Sequence, residues 1–549
     1  MTTPRTGTSD QRILASSAVM AAGTVFSRAS GFIRAALLVA ALGAFTRGDL
    51  FTIANTLPNM VYILLAGGIF NAVLVPQLVR RIKDDPDGGD AYASRVITLS
   101  ALFLGGVTAL LVVAAPWLLR LYLSSRYLDP DRVTQLESII DLTRWCLPQV
   151  FFYGMYVLVG QVLNARGRFG PMMWAPIANN VIAVAMLVVY LLVWGKAAGA
   201  EQLAALDTSQ EVLLGLGSTV GIAVQCLVLV PYLRASGFTY RPRFDFRDPE
   251  LRKTLSLGIW TVLFVVATQT AYFVVVKLAS DGGADGGPGF TVYSSSLLIM
   301  MVPHSIITVS LATAILPRLS SYAHEDRLAE LGSTLGSTLR TALALVLPFA
   351  VLLPILAGDV AAAAFSWGDR DAGAAFAPTL AVFGPALVFF TIHYCMLRGF
   401  YAMEMTKLVF FIQLAVSLTN IAVATALVPS RPPEQAAPLL VVAYLASYVV
   451  GAGASFVLLR RTVGGLETPQ LVRFLVRMAL VLVAAGAVAW LVEWSLAGLG
   501  DRPSPPVALL RGGLSGLAGG LVLLGGAKLL RIREVTSLVD TVAARLRRG

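Results

Sequence analysis

Two arginines stand where a hydrophobic segment should avoid them. Arg28 and Arg34 lie in "FSRASGFIRAALLVAALG" (residues 26–43), inside a run otherwise apolar or small from Ile13 to Ala44. An arginine at the centre of a membrane helix costs about 2.5–3.5 kcal/mol on the insertion scale. Intramembrane ionisable groups face a bundle interior or a wet cavity and mark a substrate path. A guanidinium suits planar, bidentate binding of carboxylate or phosphate, so the chemistry offered is anion recognition. Six positions at 100° per residue set the two arginines about 120° apart on an ideal helix, and Gly31 between them permits local unwinding. The plainer reading has Arg34 snorkelling to an interface or pairing with an acid such as Asp49.

The following segment, "GDLFTIANTLPNMVYILLAGG" (48–68), adds Asp49, Asn55 and Asn59. Asn55 and Asn59 are four apart and share a helix face. They serve either as contacts to a sugar or peptide or as hydrogen-bonding glue between helices. Pro58 implies a kink. A second set is more dispersed: Asn164, with Arg166 and Arg168, ends the fourth hydrophobic segment. Solvated basic anchors account for it. Gln269 and Lys277 lie in the seventh, and His393 and Arg398 end the tenth, where a lone histidine reads as packing. The turn "DGGADGG" (281–287) lacks the ligand spacing and closing glutamate of a calcium loop. No P-loop, HExxH, GxSxG or dinucleotide fingerprint occurs, so catalysis and self-contained ATP-driven transport are not expected. No cofactor or metal is expected.

These residues need a membrane scaffold. Hydrophobic residues make up 57% of 549 positions and charged residues 13%, and mean hydropathy is +0.76. Soluble globular chains carry about 25% charged residues. At roughly 20 apolar residues per crossing, fourteen spans are expected. They lie near 13–43, 50–79, 94–118, 138–164, 171–194, 212–233, 253–279, 290–316, 334–357, 374–399, 404–428, 436–459, 470–493 and 506–531. The opening run continues past Arg28 without a clean cleavage site and reads as an uncleaved first span. Cys146, Cys226 and Cys395 each lie in apolar runs, which argues against disulfides or a zinc site.

The net charge of +11 reads as orientation rather than nucleic-acid binding. Lys and Arg concentrate on alternate connections, among them RRIKDD (80–85), the linker 234–253 and the tail beyond 530, whereas SDGGADGGPG and GDVAAAAFSWGDRDAG are nearly free of them. By the positive-inside rule both termini are cytoplasmic. An internal echo pairs "NAVLVPQLVRR" with "ATAILPRLSSY" (Pro76 on Pro317, offset 241). A second pairs "LNARGRF" with "FYAMEMT" (Ala165 on Ala402, offset 237). Two anchors agreeing this closely imply two similar six-span halves, an architecture that transporters use.

The expected fold is all-α integral membrane, two six-helix lobes plus two C-terminal helices. The domains read as a cytoplasmic tail (1–12), an N-lobe (13–234), a basic linker (235–252), a C-lobe (253–460), spans thirteen and fourteen (461–531) and a basic tail (532–549).

The stretches "SRASGFIR", "LPNMVYILLAGGIFNAVLVPQLVR", "LNARGRFGPMMWAPIANNVIAV", "ILPRLS" and "RGFYAMEMTK" resemble the MurJ/MviN family of the multidrug/oligosaccharidyl-lipid/polysaccharide exporter superfamily, along essentially the whole chain and with an actinobacterial composition. The resemblance implies a flippase that moves lipid II, the undecaprenyl-pyrophosphate-linked peptidoglycan precursor, to the outer leaflet of a bacterial cytoplasmic membrane. It implies that Ser27, Arg28 and Arg34 contact the pyrophosphate in a central cavity, with Asp49 and Asn59 nearby. It also implies that spans thirteen and fourteen form a groove for the lipid tail. The expected partners are lipid II and the bilayer, with cell-wall synthesis proteins as a further candidate class. A counter-ion (Na+, H+ or Cl−) is not named by the sequence. Departures fall mainly beyond the first span: Tyr62 and Gly67 stand where many members carry arginine and glutamate, "YSSSLLIMMVPHS" (293–305) holds no charge ahead of His304, and "YAMEMTKLV" lacks an Asp and a Pro. An exporter of another lipid-linked glycan and a non-transporting scaffold for cell-wall enzymes are the competing readings. A drug exporter would favour acidic cavity residues, and a glycosyltransferase would gather acidic residues in a loop.

Overall fold

The computed structural model describes residues 7–65, 89–244, 250–500, 502–537 and 540, with side chains from Gly23 onward except 24, 25, 250–258 and 499. The second expected span beyond residue 65, Gly67, Pro76, the basic stretch 80–85 and the tail from 541 lie outside the described residues. So do 245–249 of the basic linker.

Among the described residues the chain is helical. The first group comprises α1 (Gly7–Leu42), α2 (Thr46–Tyr62), α3 (Asp90–Tyr122), α4 (Val133–Cys146), α5 (Gln149–Ala165), α6 (Gly170–Val193), α7 (Thr208–Leu227) and α8 (Leu229–Ala235). There follow α9 (Glu250–Ala284), α10 (Phe290–Pro303), α11 (Ser310–His324), α12 (Leu328–Phe365), α13 (Arg370–Ala402), α14 (Thr406–Leu427) and α15 (Ala436–Val463). The last two are α16 (Thr468–Ser495) and α17 (Pro505–Leu529). Twelve segments among the described residues are long and apolar enough to cross a membrane, from Asp90–Tyr122 to Pro505–Leu529. With α1 and α2 they make fourteen long helices, and each of the twelve overlaps a span expected from the sequence.

The helices are built for lipid. On α17, Leu510, Leu514, Leu517, Leu521 and Leu524 recur at helical spacing and are exposed, while Ala508, Arg511, Ser515 and Gly519 are buried. In water such a stripe would be an aggregation surface. In a bilayer it is the solvent-facing side, and the small and polar residues form the contact with neighbours.

By internal contacts the chain forms two compact units, Met1–Leu42 with Thr46–Gln269, and Gly43–Phe45 with Thr270–Gly549. In the first, α1 packs on α6, α6 on α7, α7 on α4 and α5, α5 on α3, and α2 on α4 and α5. In the second, α12, α13 and α15 form the centre, α10 lies on α13, α14 on α15, and the α16–α17 pair packs on α12.

Prolines act locally in different ways. Pro148 separates α4 from α5, whereas Pro58, Pro176 and Pro385 lie inside α2, α6 and α13. After Pro303 the helix widens into a π turn over His304–Val309, and α2 widens likewise at 63–65. Such bulges arise where the regular ladder is interrupted.

The internal echo has a conformational counterpart. Helices α5 and α13 end at Ala165 and Ala402. Two residues on, Gly167 and Glu404 both take positive φ, 75° and 58°. The Arg168 N–H then donates to the Leu163 carbonyl and the Met405 N–H to the Phe400 carbonyl, each at 2.9 Å. These are the six-to-one bonds of a Schellman ending, and both members of each pair differ by the offset of 237 that aligns the sequences. A glutamate in the left-handed region at the second copy shows that the turn geometry is kept even where the glycine is not.

Candidate functional site

Helix α1 carries both arginines, and it runs unbroken through Gly31. The unwinding that Gly31 would permit does not occur, because regular helix already satisfies its backbone. Asn180 of α6 packs there instead, its Nδ2 3.7 Å from where a Gly31 Cβ would sit. That amide donates to the Ser27 carbonyl at 3.0 Å and to Ser30 Oγ at 2.9 Å. One turn earlier Phe26 lies against Trp174, ring centroids 6.1 Å apart. Ser27 thus contributes its main chain to an α1–α6 clamp.

Arg28 is exposed and Arg34 half-buried, as residues on different helix faces. Arg34 reaches a small polar chamber inside the first unit. Asn55 of α2, Gln149 and Tyr153 of α5, Asn179 of α6 and Ser218 of α7 line it with Arg34. The chamber encloses about 30 Å³, room for a water molecule or two and far too little for a sugar. Gln149 Nε2 donates to Asn55 Oδ1 at 2.9 Å, so Asn55 acts as glue between α2 and α5. Tyr62, at the place where the family resemblance leads one to expect arginine, stacks on Tyr153 with centroids 4.7 Å apart.

Among the described residues no carboxylate pairs with Arg28 or Arg34. The pairing of Arg34 with Asp49 is not made; Asp49 is fully buried in the first turn of α2. Its neighbour Arg47 takes the structural role instead, bonding Glu201 Oε1 at 2.6 Å, the Ala205 carbonyl at 3.0 Å and Tyr190 Oη at 3.4 Å. A buried arginine tied to a carboxylate and a half-buried arginine tied to none therefore stand 13 residues apart in the sequence. An uncompensated guanidinium in an apolar span is costly, and it leaves its donors available to an anion.

The remaining candidates are scattered. Asn59 is half-buried on α2. Gln269 Nε2 donates to the Met60 carbonyl at 2.9 Å, where α2 passes into its π turn. Asn164 lies beside Met172, Nδ2 to Sδ 3.4 Å. Arg166 is held by the Asp90 carboxylate, by the Ser236 carbonyl at 3.3 Å and by the Phe238 ring at 5.3 Å, and Arg168 is exposed. In the second unit Lys277 is half-buried and engaged. Arg398 lies over Tyr394 at 4.2 Å and Tyr401 at 5.7 Å. His393 Nδ1 meets Ser455 Oγ at 3.4 Å between α13 and α15, a packing contact. Sequence reasoning missed Gln149, Tyr153, Asn179, Asn180 and Ser218. The adjacent asparagines in an apolar span were the available signal.

The family model described as lipid II flippase MurJ matches residues 38–500. A probable lipid II flippase MurJ of Haemophilus influenzae is 25% identical over 486 residues, 85% of this chain and 90% of the relative. A lipid II flippase MurJ of Burkholderia cenocepacia is 26% identical over 512 residues, 89% and 92% of the two chains. Among solved structures, a lipid II flippase MurJ in an inward closed conformation superposes with a TM-score of 0.67 at 16% identity, covering 91% of this chain and 97% of the other. An inward-facing multidrug resistance MATE family transporter of the MOP superfamily gives 0.63 at 17%, covering 81% and 96%. Both solved structures share the fold. The family match begins at residue 38, so the two arginines lie just ahead of it.

Proposed function

Because the chain belongs to the MurJ family of lipid II flippases, we propose that it moves lipid II from the inner to the outer leaflet of the bacterial cytoplasmic membrane by alternating access. The lobes 13–234 and 253–460 then rock as the headgroup is carried across, with both termini cytoplasmic. Arg28 and Arg34 replace water around the pyrophosphate, the hydroxyl and amide groups of sugar and peptide find Asn59 and neighbouring polar groups, and residues 461–531 guide the lipid tail. The observation that carries this reading is Arg34: half-buried in a membrane helix, beside a polar chamber, with no carboxylate partner among the described residues.

A potential negative inside favours outward movement of an anion. At about 2.3 kcal/mol per charge per 100 mV, a pyrophosphate diester with two charges gains about 4–5 kcal/mol per 100 mV. The chain need not bind the tail tightly, because the tail stays in lipid throughout. Cell-wall synthesis proteins are the proposed protein partners.

The test is reconstitution of the full chain in liposomes holding labelled lipid II, with an imposed potential of either sign. The proposal predicts protein-dependent flipping, faster when the receiving side is positive. Transport of a lipid-linked glycan of another structure with no transport of lipid II would transfer the assignment to that substrate. Insensitivity to the potential would remove the electrical component.

A further inference from the structure

The end of α3 and the start of α4 enclose a groove that lipid II transport does not use. On α3, Phe103, Leu110, Val113 and Trp117 are exposed at helical spacing and so form one lipid-facing stripe. Three residues further on, the same stripe carries Arg120, exposed and in the last turn of the helix. About 20 helical residues cross the hydrocarbon. Counted from Thr98, whose Oγ1 accepts the Arg243 N–H of the basic linker at 3.2 Å, they end at the turn of Trp117 and Arg120. Trp117 and, on α4, Trp145 are both exposed, as the aromatic anchors of a membrane–water interface are. The groove therefore opens at headgroup level.

Its lining is apolar on the inner side and doubly charged on the rim. Pro116 of α3 with Leu136 and Ile140 of α4 are half-buried, whereas Arg120 and Glu137 are exposed. The volume is about 750 Å³, within the range of about 300–1,000 Å³ typical of small-molecule sites. Two further charged groups line it and are engaged with each other: Arg144 Nη1 lies 3.0 Å from Asp141 Oδ1 on the same helix. Arg120 and Glu137 have no hydrogen-bond or ion-pair partner among the described residues. A cation alone would select an anionic headgroup, and a carboxylate alone a cationic one. One of each beside an apolar wall matches a headgroup that carries a phosphate and an ammonium in succession, with an acyl chain leaving it for the bilayer.

We propose that this groove binds a phospholipid with a primary amine, phosphatidylethanolamine, its phosphate on Arg120, its ammonium on Glu137 and the start of an acyl chain along Pro116, Leu136 and Ile140. A guanidinium suits phosphate. A primary ammonium, like that of lysine, brings three N–H donors to a carboxylate. A choline headgroup has the same charges and no N–H, and phosphatidylglycerol has the phosphate and no cation. The groove therefore ranks the ethanolamine lipid above both. On the topology proposed above, the bound lipid belongs to the outer leaflet. The site lies wholly within the first unit, apart from the arginines of α1, and is independent of which glycan is carried.

Native mass spectrometry of the purified, delipidated full chain tests this, with phosphatidylethanolamine, phosphatidylcholine and phosphatidylglycerol of matched acyl chains added one at a time. The wild type is expected to retain the ethanolamine lipid most strongly. Glu137→Gln removes the ammonium contact and is expected to lower that retention to the level of the choline lipid, by about 1.5- to 5-fold, the range for exposed ion pairs, with the other two lipids unchanged. Arg120→Gln removes the phosphate contact and is expected to weaken all three by a similar factor. A general loss of fold would not produce this selective pattern. Equal retention of the three lipids by the wild type, stronger retention of the glycerol lipid, or unchanged selectivity in Glu137→Gln overturns the proposal. A photo-reactive amino acid in place of Val133, exposed on the groove, reads the occupant in membranes. A phospholipid adduct is expected there, and an adduct with a second copy or another protein instead overturns the proposal. Should Arg120→Gln fail to insert, Glu137→Gln and the cross-link still decide.

Discussion

Replacing Arg34 by alanine separates a working arginine from a structural one. An arginine at a span centre costs about 2.5–3.5 kcal/mol to insert, and the chamber of Asn55, Gln149, Asn179 and Ser218 offsets part of that. With no carboxylate paired to it, truncation strands no opposite charge. Unfolding stability in Arg34→Ala is therefore expected to stay within about 1 kcal/mol of wild type or to rise by up to about 2 kcal/mol, the part of the insertion cost left uncompensated. Arg511 supplies the contrast within the same chain. Its removal breaks a buried pair with Asp359, for which losses of about 3–5 kcal/mol are typical. Flipping should show another order. Loss of one charged hydrogen bond to the pyrophosphate, worth about 1.5–3 kcal/mol, slows Arg34→Ala about 10- to 150-fold. The assay is denaturant-dependent loss of helicity in mild detergent, read beside lipid II flipping in liposomes. An Arg34→Ala chain destabilised as much as Arg511→Ala, with flipping lost in proportion, would refute the reasoning and make Arg34 a packing residue.

Three further outcomes follow from the same contacts. Asn55→Leu and Gln149→Leu, made singly and together, should show a coupling of about 0.6–1.7 kcal/mol, the range for hydrogen bonds between membrane helices; zero coupling would remove the glue role of Asn55. Arg166→Ala, which loses Asp90, Ser236 and the Phe238 ring, should cost about 1–3 kcal/mol, whereas exposed Arg168→Ala should change stability by less than about 0.5 kcal/mol; equal effects would contradict the anchoring of Arg166 by these three partners. Burial pushes the Glu467 carboxyl up, but hydrogen bonds from Arg340 and Ser333 outweigh it and hold the carboxyl below its ordinary value. Its stabilisation is thus present above about pH 4.3, the unfolded value, and is lost as pH falls through the folded one. Amide exchange at the start of α16 should quicken on acidification, and Arg340→Gln should flatten that dependence.

The spans were legible because composition decides them: a run of twenty apolar residues has few alternatives to a membrane helix. The turn after Ala165 was legible too, since its echo at Ala402 repeats a backbone ending as well as a few letters. Helix ends were less so. Asp359 reads in the sequence as part of an outer connection, yet the alanine run after it extends α12 to Phe365. That extension brings Asp359 into the contact with α17. The partners of polar residues were not legible at all. Asn180 meets Ser27 across 153 positions and Gln149 meets Asn55 across 94, and no local pattern encodes those distances. What survived translation from sequence to site was the oddity of an unpaired arginine. The unread part was which arginines, Arg47 and Arg511 among them, the fold had already neutralised.

Lipid II transport by the two arginines of α1 is tested most directly in bacteria depleted of their own lipid II flippase. Such cells would express this chain, or its Arg28→Ala or Arg34→Ala form, at matched and verified membrane levels, and lipid II on the outer leaflet would be labelled. The account predicts that the wild type restores the outer-leaflet pool and that each alanine form does not. Restoration by the alanine forms to the wild-type level would contradict the role given to the arginines, and failure of the wild type in an actinobacterial host as well would contradict lipid II as the cargo.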